Sequence, residues 1–372
     1  MKVFLWHVHG AWTTAFVHGR HEYLVPVLPD RGPDGRGRAR TYVWPENVRE
    51  VTPEEAIRAD IDVVVLQRPE ELERLAERWL GRRPGRDVAA IYVEHSAPQG
   101  RIDDMRHPAA DRHDLVLVHV THFNRLFWDA GTTRTRVIEH GVVDPGYRYT
   151  GEIAAAAVVI NEAARRRRVT GTDLLDRFAL VTPIDLFGIG AAALGGIEDL
   201  PQERLHQAIA RRRVYLHPVR WTSLGLSLIE AMHLGMPVVA LATTEVAAAV
   251  PATAGVVSNR LDALEAALRR FTTDSAAARR AGVAARTAAL ARFGLRRFLA
   301  DWDRLLQEVS CTSRWFRSTR AHSPFSGAST PAARTSTSPR WPGLSATAAS
   351  PSRSTRGATM PRLRNVFRSR DT

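Results

Sequence analysis

The chain has 372 residues, enough for two ordinary domains and something more, with a formal charge of +13 and one cysteine, Cys311. From Ser310 onward eleven arginines face a single acid, Asp371, so the tail holds +10 of that charge and residues 1–309 only +3, which removes basicity as an argument for nucleic-acid binding by the folded body. A body without cysteine excludes disulfides and thiolate metal sites and fits a reducing, cytoplasmic compartment.

Lys2–Val8 is a short apolar run that ends at His9-Gly10, a strand feeding a glycine turn. It is too short and too histidine-rich for a signal peptide, and no apolar run reaches the roughly 18 residues of a membrane span. Thr52-Pro53-Glu54-Glu55 reads as a helix start, with a cap, a proline in the first turn and acids at the positive end. Asp62–Leu66 (DVVVL) predicts a buried strand. Leu72, Leu75, Ala76 and Trp79 lie at helical spacing in Pro69–Leu80, before Gly81. Val88–Val93 is a further strand, followed by Glu94-His95-Ser96-Ala97-Pro98. Leu115–Val120, a helix over 121–130 and a strand over 136–138 continue the alternation, which predicts a parallel sheet covered on both faces.

Residues 141–153 (GVVDPGYRYTGEI) form a glycine- and proline-bearing link. A second α/β series begins at Ala157–Ile160, followed by an arginine-rich turn from Asn161 to Arg168. A helix over 201–211, a strand at Val214–Leu216, a helix over 223–234 and a strand over 237–241 come next. Helices over 261–271, 275–292 and 295–309 close the series. The expected organisation is an α/β chain with Rossmann-like domains at 1–150 and 151–294, a helix over 295–309 packing back on the first domain, and a low-complexity basic tail over 310–372 that cannot bury enough apolar surface to order itself.

The most informative stretch is 214–250, VYLHPVRWTSLGLSLIEAMHLGMPVVALATTEVAAAV. Strand, loop and helix in that order put unpaired backbone N–H groups and a helix dipole at the end of a parallel-sheet cleft, where an anion sits well. Gly225 at the helix entry lets a ligand approach the backbone closely, or serves helix–sheet packing. Glu230 follows on a mostly apolar helix, a poor place for a mere surface charge.

This block resembles the nucleotide-sugar half of the retaining GT-B glycosyltransferases, the large "group 1" (family 4-like) type. The resemblance is weaker over 1–200 and absent after about 309. It implies two Rossmann-like lobes facing across a cleft and sugar transfer from a nucleoside diphosphate sugar to a hydroxyl acceptor. In that family a Glu-x7-Glu element binds the donor. Glu230 matches the second, ribose-binding glutamate, while the first position is Thr222, so the motif is degenerate. Ser223, Gly225 and Leu226 would receive the diphosphate. Arg166 and Arg168, with Thr172 nearby, would stand in for the family's basic pair. His95 matches the strand-end histidine facing the transferred sugar, the candidate catalytic group, and His9-Gly10 the acceptor-side turn. Ile138-Glu139-His140-Gly141-Val142 partly matches an interdomain Ile-Pro-Asn-Gly-Val segment.

The implied partners are a nucleotide-sugar donor and a hydroxyl acceptor of sugar, polyol or lipid-linked type, with peripheral membrane contact allowed and nucleic acid not expected. No metal or other cofactor is expected either, since His7, His9, His18 and His21 match no common zinc spacing. Two other readings share the fold: a sugar-nucleotide epimerase, and a degenerate binding protein suggested by Thr222. Phe325–Pro342 carries a further reading. G/C-rich codons for it, read from the third base, spell a stretch similar to the phosphate-binding loop of another GT-B glycosyltransferase, so the tail is either a basic extension or a shifted frame without function.

Overall fold

The computed structural model describes residues 1–321, with side-chain environments to Cys311. The readings of the tail beyond residue 321, including the shifted frame, lie outside the described residues. The first lobe runs β1 (Lys2–Leu5), α1 (Gly10–Val17), β2 (Glu22–Pro26), β3 (Val48–Val51), α2 (Pro53–Arg58), β4 (Val63–Leu66), α3 (Ala76–Leu80), β5 (Ala89–Glu94), β6 (Val116–His119), α4 (His122–Phe127) and β7 (Thr135–Val137). Its sheet is parallel throughout, in the order β3-β2-β1-β4-β5-β6-β7. Every residue of β4 and β5 is buried, as strands covered on both faces must be. One cover contains Leu72, Leu75 and Trp79; the other contains Trp12 and Phe16.

The second lobe runs β8 (Ile153–Val159), α5 (Ala163–Thr170), α6 (Leu175–Ala179), β9 (Ile184–Phe187), α7 (Gln202–Ala210), β10 (Arg212–His217), α8 (Leu226–Leu234), β11 (Val238–Ala240), α9 (Val246–Ala249), β12 (Gly255–Val257), α10 (Leu261–Thr273), α11 (Ser275–Phe293) and α12 (Leu295–Ala321). Its parallel sheet has the order β12-β11-β10-β8-β9. The helix expected over 295–309 continues to Ala321. Its Phe298, Trp302, Leu305 and Leu306 complete the first lobe's core, with Trp302 edge-on to both Trp12 and Phe16.

Both sheets reverse their strand order once, between β1 and β4 in the first lobe and between β8 and β10 in the second. Loops leaving those strands diverge and open a crevice at the strands' carboxyl ends, where ligands of open α/β sheets bind. Local chemistry explains several boundaries. Thr52 accepts from the Glu55 N–H at 3.4 Å and donates its own N–H to the Glu55 carboxylate at 2.9 Å, a reciprocal cap that starts α2. Gly81 ends α3 at φ 63, a left-handed conformation that suits glycine.

Candidate functional site

The loop from β10 to α8 forms one wall of the crevice. The helix predicted from Ser223 starts three residues later, at Leu226, because Gly225 is extended at φ −69, ψ 123 and serves as the cap. No side chain caps this end, and no group among the described residues bonds the N–H of Leu226 or Ser227. The Leu226 side chain packs against the cores of both lobes, so the helix start lies where they meet. Gly225 has a packing reason too: a Cβ there would lie 2.7 Å from the His217 ring. Burial holds that imidazole down at about 4.

Glu230 is 7% exposed. His206 of α7 reaches its carboxylate at 3.4 Å. Tyr215 donates to Ser227 Oγ at 2.9 Å, and the Tyr215 and Tyr42 hydroxyls are raised by burial first and by the Glu230 charge second. Tyr42 belongs to the long loop between β2 and β3 in the other lobe. Its ring lies over Gly10, where a Cβ would come within 2.9 Å of Cε2. The Glu230 charge of one lobe is thus felt at a phenol of the other.

The other donor-side candidates divide. Thr222 is half-buried, and its hydroxyl makes no hydrogen bond among the described residues. Ser223 is only 3% exposed, and its hydroxyl donates to the His95 carbonyl at 2.6 Å, so the side chain closes a lobe contact and is not placed to receive a diphosphate. The arginine-rich turn is helical over Ala163–Thr170, broken at Arg167 (φ 36, ψ −103). Arg168 is 81% exposed and lies 3.5 Å from Asp173. Arg166 is half-buried, and no acid among the described residues pairs with it. Burial, then neighbouring Arg165, pull its guanidinium below the ordinary value, a cost that a bound anion would relieve. Thr172 donates to the Ala163 carbonyl at 3.0 Å and sits 2.9 Å from Thr170 Oγ1, which fastens α5.

The facing wall is a set of strand-end side chains from the first lobe. His9 caps α1, and its ring lies 4.1 Å from that of His95, which follows β5. Burial, with Arg36 and Arg68 nearby, lowers His9 to about 4, and burial holds His95 far below its usual range. Trp12 meets the His95 ring edge-on at 4.9 Å. Gln67, directly after β4, has its Oε1 3.1 Å from His95 Nε2 and donates its amide NH2 to the Trp6 carbonyl at 2.8 Å. Its backbone N–H is held by the Glu71 carboxylate at 2.6 Å. That carboxyl, paired with Arg68 at 2.7 Å, is nonetheless pushed up to about 7 by burial. His140 of the interlobe segment is 3% exposed, lowered to about 3 by burial and then by the nearby His9; neither ring nitrogen has a partner among the described residues.

Sequence reasoning missed Gln67, Tyr42, His206 and His140. Gln67 had a signal, a polar residue at the end of the DVVVL run; Tyr42 and His206 had none, because distant elements bring them to Glu230. Among the described residues, no three His, Cys, Asp or Glu side chains gather closely enough to hold a metal ion, and no helix is long and apolar enough to cross a membrane.

Further bonds tie the lobes. Trp221 Nε1 donates to the Pro98 carbonyl at 2.7 Å, and its ring meets Phe123 at 5.4 Å. Glu245 accepts from the Phe123 N–H at 2.9 Å and pairs with Arg292 at 3.0 Å; Arg292 also binds Glu139 of the linker.

Two parallel-sheet lobes with switch points facing one crevice, and a last helix returning to the first lobe, make up the GT-B fold. Residues 196–288 match the family described as glycosyl transferases group 1, and this segment contains α8 and Glu230. The fold is similar to that of sucrose-phosphate synthase from Thermosynechococcus elongatus (TM-score 0.63, 14% identity, 84% of this chain and 100% of that one). It is similar also to HepE from Anabaena in complex with UDP-glucose (TM-score 0.60, 13% identity, 83% and 100%). AviGT4, a glycosyltransferase of avilamycin A biosynthesis, matches at TM-score 0.56 with 16% identity over 84% of this chain and 98% of that one. No curated protein matches the sequence.

Proposed function

We propose that the crevice moves a sugar from a nucleoside diphosphate donor to a hydroxyl acceptor, with retention of configuration. The observation that carries this reading is the buried Glu230 carboxylate at the fifth residue of a helix whose glycine-capped N-terminus, without a side-chain cap, lies between the lobes. Glu230 accepts hydrogen bonds from the ribose hydroxyls. The N–H groups of Leu226 and Ser227, with Arg166, hold the diphosphate and stabilise its charge as it leaves. His95 and His9 face the sugar and the acceptor. Glu94 is bonded to His107 at 3.0 Å and to the Ser96 N–H at 2.6 Å, and Glu245 is held by Arg292, so neither is placed as a base or nucleophile. That favours a path in which the departing diphosphate takes the acceptor proton on the same face of the sugar. No metal ion is needed in this scheme, and transfer should persist in a chelator.

HepE binds UDP-glucose, so UDP is the first nucleotide to test, against GDP, ADP and TDP, by thermal stabilisation. Nucleotide release that requires an acceptor, with the product's anomeric configuration read by NMR, completes the test. A Glu230→Ala protein with unchanged nucleotide affinity overturns the assignment. Thr222, in the place of an acid, supports a second reading, a protein that binds the donor without transferring it. Binding without acceptor-dependent release is its outcome.

A further inference from the structure

The bonds around His95 fix which of its nitrogens carries the proton. Gln67 Nε2 lies 2.8 Å from the Trp6 carbonyl oxygen, which only accepts, so the amide NH2 must face Trp6. Turning the amide over would set two oxygens against each other. Its Oε1 therefore points at His95 Nε2, 3.1 Å away, and that contact is a hydrogen bond only if Nε2 bears the hydrogen. Gln67 is itself fixed from behind by its backbone N–H to Glu71 at 2.6 Å, and Glu71 is anchored by Arg68. No protein group among the described residues bonds His95 Nδ1, and unlike the ring nitrogens of His119 and His140 this atom is not sealed inside the protein.

We propose that Gln67 is a positioning residue that holds His95 as the Nε2–H tautomer, so that Nδ1 offers the crevice a hydrogen-bond acceptor. The proposal rests on His95 facing the donor sugar and specifies what it does there: it receives a hydrogen bond from a sugar hydroxyl and does not donate one. A mixture of tautomers would present a donor half the time and weaken selection for that hydroxyl. Burial keeps the ring neutral, so the arrangement holds across the neutral range.

The test is a multiple-bond proton–nitrogen NMR spectrum of the full-length protein labelled with 15N-histidine, with His95 assigned by its loss in His95→Asn. The expected result is a protonated Nε2 and an unprotonated Nδ1. An Nδ1–H ring, or fast exchange between tautomers, overturns the proposal. Gln67→Leu should abolish the single tautomer and lower kcat/KM roughly tenfold or more through misplacement. An unchanged spectrum in Gln67→Leu also overturns it. If the wild-type spectrum is as expected while His95→Asn transfers sugar at the wild-type rate, the hold of Gln67 on His95 stands and the sugar-facing role falls.

Discussion

At the scale of single residues, the crevice combines groups that one stretch of sequence announced with groups that only folding brings there. Glu230 was legible because it follows a glycine-capped helix start in a block of strong resemblance. His206, which reaches its carboxylate, and Tyr42, which feels its charge, were not, since each lies far from it in sequence. The arginine run was legible as a run only: its sequence does not reveal that Arg166 is half-buried while Arg168 is exposed beside Asp173. Replacing Glu230 by Gln removes a charged acceptor for the ribose. The expected loss is about 2 kcal/mol, from the worth of a hydrogen bond to a charged group, or roughly thirtyfold in nucleotide affinity by calorimetry. Ser223→Ala removes only a bond between lobes, so nucleotide affinity in the same measurement should change far less.

At the scale of elements, the buried hydrophobic strands were readable: DVVVL became β4 within a residue, and the Thr52 start became α2 with its reciprocal cap. Strands β2, β3, β9 and β12 were missed. They have three to five residues, and β3 and β12 lie at sheet edges, where little burial marks the sequence. The start of α8 was read three residues early, because Ser223 is a good cap by type but its hydroxyl is engaged by His95. Helix α12 makes the sharpest prediction here. Trp302 is 1% exposed among Trp12, Phe16 and Phe298, so Trp302→Ala should cost about 3–5 kcal/mol in denaturant unfolding, as large aromatic truncations in cores do. Thr52→Ala, on an exposed cap, should cost only about 1 kcal/mol.

At the scale of the whole molecule, the general plan of two lobes was legible and their contact was not. The Trp221–Pro98, Ser223–His95 and Glu245–Phe123 bonds hold the lobes together without a ligand. Trp221→Ala should therefore open the crevice, read as a larger radius of gyration in X-ray scattering; an unchanged radius would contradict this. Acid should also destabilise the protein. His9 and His217 are lowered to about 4, His119 and His140 to about 3, against about 6.5 in the unfolded chain. As pH falls below about 6.5 the unfolded chain takes up protons that the folded one refuses, so each group withdraws stability progressively until its folded value is reached. Glu71, raised to about 7, works in the opposite sense over the same window, but it is one group against four. Urea midpoints at pH 7 and pH 5 should differ, with the lower at pH 5.

The return of α12 to the first lobe also orders events during synthesis. Val3, Trp12, Phe16 and Ile91 leave the ribosome long before Phe298 and Trp302, which cover them. The lobe made first thus waits, one apolar flank bare, while some 150 further residues are translated. Nascent chains stalled before Leu295 should be the form that chaperones grip, and release should coincide with the arrival of that helix.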